Sequence, residues 1–246
     1  MNVFAKLTRT ELRLQTREPV AVFFSLLFPT ILVVILGCIP AFREPSPELG
    51  GVRTIDVYVG IAIILSLAVV ALQGMPMVLA TYRERGVLRR FATTPVRPIA
   101  LLGAQLTAML LIALASSTLC VAVGYLVYDV PLAANLPGFL LAFLLTAAGV
   151  FAIGLLIAAL APSGKAGNAI GTLLFFPSMF FAGLWLPREF MPDLVQRIGD
   201  FTPLGAGERA LHETMAGQWP HPLPSMVLLG YLVLFGLGAA RLFRWN

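Results

Sequence analysis

The chain has 246 residues, of which 59% are hydrophobic and only 12% charged. Counting its 22 glycines brings the apolar share to about 68%, against roughly 45–50% for a soluble domain. A soluble sphere of this size would lack the polar side chains to cover itself, which excludes an ordinary cytosolic enzyme, a disordered chain and a nucleic-acid binder. The net charge of +5 has to be read by location, and no nucleic acid is expected as a partner.

In chain order, residues 3–17 read as an interfacial helix. Lys6, Arg9, Arg13 and Arg17 make one basic stripe, while Val3, Phe4, Leu7 and Leu14 form a neighbouring apolar face that Glu11 interrupts. Such a helix lies at anionic membrane lipids. Charge-free stretches follow at 19–42, 57–82, 98–128, 130–164, 166–187 and 214–240, each long enough for the ~20 residues that cross a ~30 Å hydrocarbon core. Val130-Pro131 and Asn135-Leu136-Pro137-Gly138 read as a turn, so the fourth stretch holds one helix. The fold class is all-α and polytopic: one transmembrane domain over 1–246, with six transmembrane helices at about 20–41, 57–81, 99–127, 137–161, 167–186 and 224–241. Ile35-Leu36-Gly37-Cys38 faintly resembles a cleavage site, but the apolar run before it outlasts a signal h-region and acids precede it, so the span is read as retained. Twelve lysines and arginines fall on the side of the N-terminus and five on the other, which puts both termini in the cytoplasm.

Two segments outside the spans stand out. In the loop 83–98, a short helix over about 83–91 would set Val87, Leu88 and Phe91 on one surface, with Arg89 and Arg90 at its edge and Pro95 and Pro98 ending it. Charge alone makes this a positive-inside loop. Over about 189–216, Phe190, Met191, Leu194, Val195 and Ile198 share a face opposite Asp193, Gln196, Arg197 and Asp200. A break at 201–205 precedes a second helix, 206–216, carrying Glu208, Arg209, His212 and Glu213. Short amphipathic or re-entrant helices on the outer side fit this pattern, as does a surface hairpin.

No catalytic residue and no metal ligand set is assigned. Gly164-Lys165 is followed by Ala166, with Ala159 where a phosphate loop needs its first glycine. Two histidines, His212 and His221, lie outside the spans, and Asp56 sits at a span edge, which leaves no intramembrane acid pair, protease base or multi-histidine site. The polar residues within spans are read first as interhelical hydrogen-bonding groups, with a minority lining a path. The pathway candidates are Gln73, Ser116, Ser117, Asn168 and Thr172, with Phe176 and Phe180 of the aromatic fifth span as a packing surface or an apolar wall.

Three motifs in this order resemble the permease subunits of ABC type-2 exporters, notably those of drug and antibiotic resistance. They are Arg17-Glu18-Pro19 before a first span with Pro29; Arg83-Glu84-Arg85-Gly86-x-x-Arg89-Arg90 with Thr94-Pro95 and Arg97-Pro98; and Leu186-Pro187, Met191-Pro192, Phe201-Thr202-Pro203-Leu204 and Arg209. The resemblance covers nearly the whole chain. It implies a bacterial plasma-membrane exporter of a hydrophobic or amphipathic small molecule, in which two permease copies, identical or related, work with two copies of an ATP-binding cassette subunit. This chain then needs no cofactor, ATP and Mg being held by the partner. The resemblance makes Arg83, Glu84, Arg85, Gly86, Val87, Leu88, Arg89, Arg90 and Phe91 the coupling helix. It makes the outer helices, with Phe190, Leu194, Pro203, Glu208 and Arg209, the exit gate. Relatives also move lipids and glycans, and a non-transporting assembly or sensor subunit is the reading that would need no ATPase.

Overall fold

Residues 54–84 are apolar on every face, and a helix of that kind is stable only when neighbours or lipid surround it. In the computed structural model, which describes residues 3–87, 90 and 98–242, this segment is the hub of a helical bundle. The described helices are α1 (Val3–Thr16), α2 (Pro19–Gly37), α3 (Thr54–Glu84), α4 (Pro98–Tyr128), α5 (Leu136–Leu160), α6 (Gly164–Phe181), α7 (Asp193–Asp200), α8 (Pro203–Met215) and α9 (Pro222–Leu242). Helix α3 is buried along almost its whole length, between α2, α4, α5, α6 and α8. Helices α2 and α9 are peripheral and expose rows of large apolar side chains. Two ends can be distinguished. The loop end holds α1, the end of α3, the start of α4 and the α5–α6 turn; the hairpin end holds α7 and α8.

Among the described residues, five helices are long and apolar enough to cross a membrane: α2, α3, α4, α5 and α9. The sixth expected span falls on α6, which is not among them. Its 18 residues rise about 27 Å, and Lys165 and Asn168 dilute its first turns. The last span begins at Pro222, two residues before the expected 224, because proline suits a first helical turn.

Prolines shape two of the helices. Pro29 and Pro76 have no N–H to donate to the carbonyls four residues back. In each case the preceding turn widens into a π-turn, at Phe23–Leu27 in α2 and Val69–Gly74 in α3. Backbone left over in this way is taken up by neighbours. The Ser116 hydroxyl of α4 donates to the Leu26 carbonyl at 3.2 Å. Gly171 of α6 lies so close to the Leu72 carbonyl that a β-carbon there would overlap it. Helix α6 thus packs on α3 through Gly164, Gly167 and Gly171, the small-residue contact that lets membrane helices approach closely.

Two acids outside the long spans' interiors have partners in this chain. Helix α1 exposes Val3, Phe4 and Leu14 and buries Thr8 and Glu11 instead. The reason is a partner, since the Tyr82 hydroxyl of α3 donates to Glu11 at 2.7 Å; burial pushes the Glu11 carboxyl above its ordinary range, against that bond. Asp56 lies in the first turn of α3. It pairs with Arg53 at 2.6 Å, and the same guanidinium donates to the Tyr128 and Asp129 carbonyls that end α4.

Candidate functional site

At the loop end, two consecutive side chains of α3 reach across to the α5–α6 turn. Arg83 donates to the carbonyls of Ala159, at 2.8 Å, and Ala161, the last acceptors of α5. Glu84 accepts the backbone N–H of Gly164, the first residue of α6, at 3.1 Å. A cation therefore meets the negative end of one helix and an anion the positive end of the next. Ser163 completes the cap by accepting from Ala166 N–H at 3.2 Å. Glu84, named in the sequence as part of a loop motif, has its hydrogen bond to α6.

Gly86 then turns the chain. Its φ of +67° lies in the left-handed region, and a β-carbon would meet nothing within 4 Å. Backbone conformation, and not close approach within this chain, is what glycine provides here. Arg85 is exposed and Val87 half-buried; Arg90 is exposed, with its N–H bonded to the Gly86 carbonyl at 3.2 Å. Leu88, Arg89 and Phe91 lie outside the described residues.

The pathway candidates separate into two groups. Ser116 and Ser117 are buried in α4, the first on the Leu26 carbonyl and the second on Ser66 of α3 at 3.1 Å. Both hold helices together. Gln73 lies in the π-turn of α3 beside Gly171, and Asn168 and Thr172 are half-buried on α6. Phe176 and Phe180 are exposed on the outer face of α6, Phe176 stacking on Trp185 with ring centroids 6.0 Å apart. The serines are thus on the α2–α4 side of the hub, and the other candidates on its α6 side.

At the hairpin end, the sequence-expected break at 201–205 is only a joint. Thr202 caps α8 by accepting from Gly205 N–H at 3.2 Å, and Pro203 occupies the first turn. Helix α7 and the residues flanking it turn Phe190, Leu194, Ile198 and Phe201 outward, while Asp200 turns in. There Arg188 meets Asp200 at 2.5 Å and Glu208 at 3.8 Å, and also donates to the Gly205 carbonyl at 3.0 Å. Arg209 bridges Asp200 at 2.9 Å and Glu213 at 3.0 Å. Glu213 in turn accepts the His221 backbone N–H at 2.6 Å, which ties α8 to the start of α9. Burial pushes the Glu208 carboxyl up to about 8; Arg188 opposes the shift, and Glu189, Asp200 and Glu213 add to it. Arg188 organises this network without having been singled out, and Asp200 was read only as part of a polar helix face, since spacings of 12 and 20 residues carry no periodic signal. Between the α2–α3 loop and the α6–α7 linker lies an open cleft of about 540 Å³. Phe42, Glu44, Glu48, Tyr58, Leu186 and Phe190 are among the residues that line it.

Residues 2–215 match the model of the family described as ABC-2 type transporter. No curated protein matches the chain.

Proposed function

The chain belongs to the ABC-2 type transporter family, and on that premise we propose that it is the membrane-spanning subunit of an ATP-driven exporter, working with a separate ATP-binding cassette subunit. The observation that carries this reading is the clamp at the loop end. Arg83 and Glu84 join the ends of α3, α5 and α6 immediately before the basic segment that the partner would touch. A displacement of that segment would reach three helices through two side chains. In this reading α6 is the fifth of six spans, completed by its aromatic end at Trp185, and both termini are cytoplasmic. The outward apolar edge of α7 supports placing the hairpin in the outer leaflet. Its buried ion pairs then act as the element that opens and closes the exit. The cargo is a hydrophobic or amphipathic small molecule, and the partner supplies ATP and Mg. Two permease copies and two ATP-binding copies make the complete assembly.

The test is reconstitution with the ATP-binding subunit encoded beside the gene. The complex should hydrolyse ATP and move an apolar dye in vesicles. Gly86→Trp should keep assembly and hydrolysis while losing transport. A chain that never associates with an ATPase, or a Gly86→Trp complex that transports normally, would overturn the coupling assignment.

A further inference from the structure

Between α1, α2 and α4 at the loop end lies a notch of about 210 Å³, open to the exterior. Its walls are Leu12, Ala21, Val22, Leu26, Leu111, Ile112 and Ala115, with Gln15, Thr16 and Ser25 at the polar margin. The notch follows from elements already described. The π-turn of α2 runs through it at Ser25 and Leu26, and Ser116 holds that turn to α4 from behind.

The basic stripe of α1 runs beside the opening. Arg13 and Arg17 each follow a wall residue, Leu12 or Thr16, and with Lys6 and Arg9 they are exposed. None of the ion pairs among the described residues engages these four cations. Of the acids nearest the stripe, Glu11 is turned inward onto Tyr82 and Glu18 is exposed at its end. An apolar slot with cations at its mouth, at the foot of a membrane-crossing helix, is complementary to a lipid with an anionic head and an aliphatic tail. We infer that the notch is a binding site for one anionic phospholipid, with an acyl chain between α1, α2 and α4 and its phosphate on Arg13 and Arg17. The lipid would fix α1 against α2 and α4.

The test uses the whole chain alone, in vesicles of phosphatidylcholine with or without phosphatidylglycerol, and does not depend on transport or on which way the protein inserts. Phosphatidylglycerol carrying a diazirine on its acyl chain is photolysed, and the labelled peptides are compared with those from the matched phosphatidylcholine. Labelling within 21–26 and 111–115 should favour phosphatidylglycerol by about five- to thirtyfold, the range that one or two arginines supply at about 1 kcal/mol each. Arg13→Gln with Arg17→Gln should bring the two lipids level. Ala115→Phe, which fills the slot, should remove labelling there by both lipids while the exposed face of α9 is labelled as before. Ala21→Leu is the milder version should Ala115→Phe fail to fold. Equal labelling by both lipids in the parent would overturn the inference, leaving ordinary annular lipid only. So would labelling that persists in both slot-filled variants, or cross-linking of the slot to a second copy of the chain.

Discussion

The two ends of the bundle use charge in opposite ways. At the loop end, Arg83 and Glu84 meet backbone groups at helix termini, and Glu84 remains exposed to solvent. At the hairpin end, Arg188, Asp200, Glu208, Arg209 and Glu213 meet one another, and Glu208 is only 6% exposed. Loss of one partner has different consequences in the two places. Water can replace a side chain at an exposed helix end, whereas a buried charge left without its counter-ion has no substitute. The loop end is therefore suited to change its contacts at small cost, and the hairpin end to remain shut until several charges move together.

Arg188→Ala gives this contrast its severest trial. Among the described residues, the variant leaves Asp200 paired with Arg209, removes the cation paired with Glu208, and frees the Gly205 carbonyl. Breaking a buried pair from one side costs about 3–5 kcal/mol, so the thermal midpoint of the detergent-solubilised protein should fall sharply. Adding Glu208→Gln should change little at neutral pH, where that carboxyl, at about 8, already holds its proton. A single variant as stable as the parent would show that the hairpin charges are effectively hydrated, and the distinction between the ends would fail.

Glu208 gives the hairpin end a pH dependence. Its carboxyl sits at about 8 in the folded protein, against an ordinary value of 4.5. Between these values the folded state holds a proton that the unfolded state has released, so stability declines as pH rises through that window and levels off above it. Unfolding midpoints recorded from pH 5 to pH 9 should therefore fall, and Glu208→Gln should flatten that decline. A slope unchanged by the substitution would assign it to some other group.

Much of this arrangement is written locally in the sequence, and the part that is not has a physical reason. Runs of apolar residues bounded by charges place the long helices, since lipid crossing requires little else. Pro29 and Pro76 announce the disturbed turns before them. Glu11 misled, because its hydrogen bond comes from Tyr82, 71 positions away. Arg83 and Glu84 were recognised as part of a motif, but their partners belong to the turn between two later helices. The same holds for Arg188 and Asp200, whose roles exist only once α7 folds over α8. Pairing between distant helices has no periodicity to read, and Gln105 shows the limit: buried in α4, it leaves both amide atoms without a partner, and nothing in the sequence distinguishes it from the bonded serines nearby.

At the loop end the next largest effect belongs to Gly86. A non-glycine residue in left-handed backbone costs about 1–2 kcal/mol, and here it costs this regardless of size because the surrounding space is open. Gly86→Ala should lower the thermal midpoint slightly, and Gly86→Asn less, since asparagine tolerates that conformation. If alanine were harmless and only bulky residues harmful, space at a partner surface and not backbone geometry would be what glycine provides.

The smallest effect, and the finest discrimination, comes from Glu84→Gln. The amide keeps an oxygen that can accept the Gly164 N–H, so the geometry of the cap survives and only the charge is lost. An anion at a helix N-terminus is worth about 0.3–1 kcal/mol when exposed, and salt screens it. The midpoint should therefore drop by a degree or two at low ionic strength, and the difference from the parent should vanish at high salt. Glu84→Ala removes the acceptor as well and should cost more at every ionic strength, because the Gly164 N–H then exchanges a positioned acceptor for water. The pair of substitutions separates the two parts of the clamp, a salt-sensitive attraction to the helix dipole and a salt-insensitive hydrogen bond. Were Glu84→Gln as damaging as Glu84→Ala, the carboxylate would be behaving as a buried ion, and the loop end would follow the same rule as the hairpin.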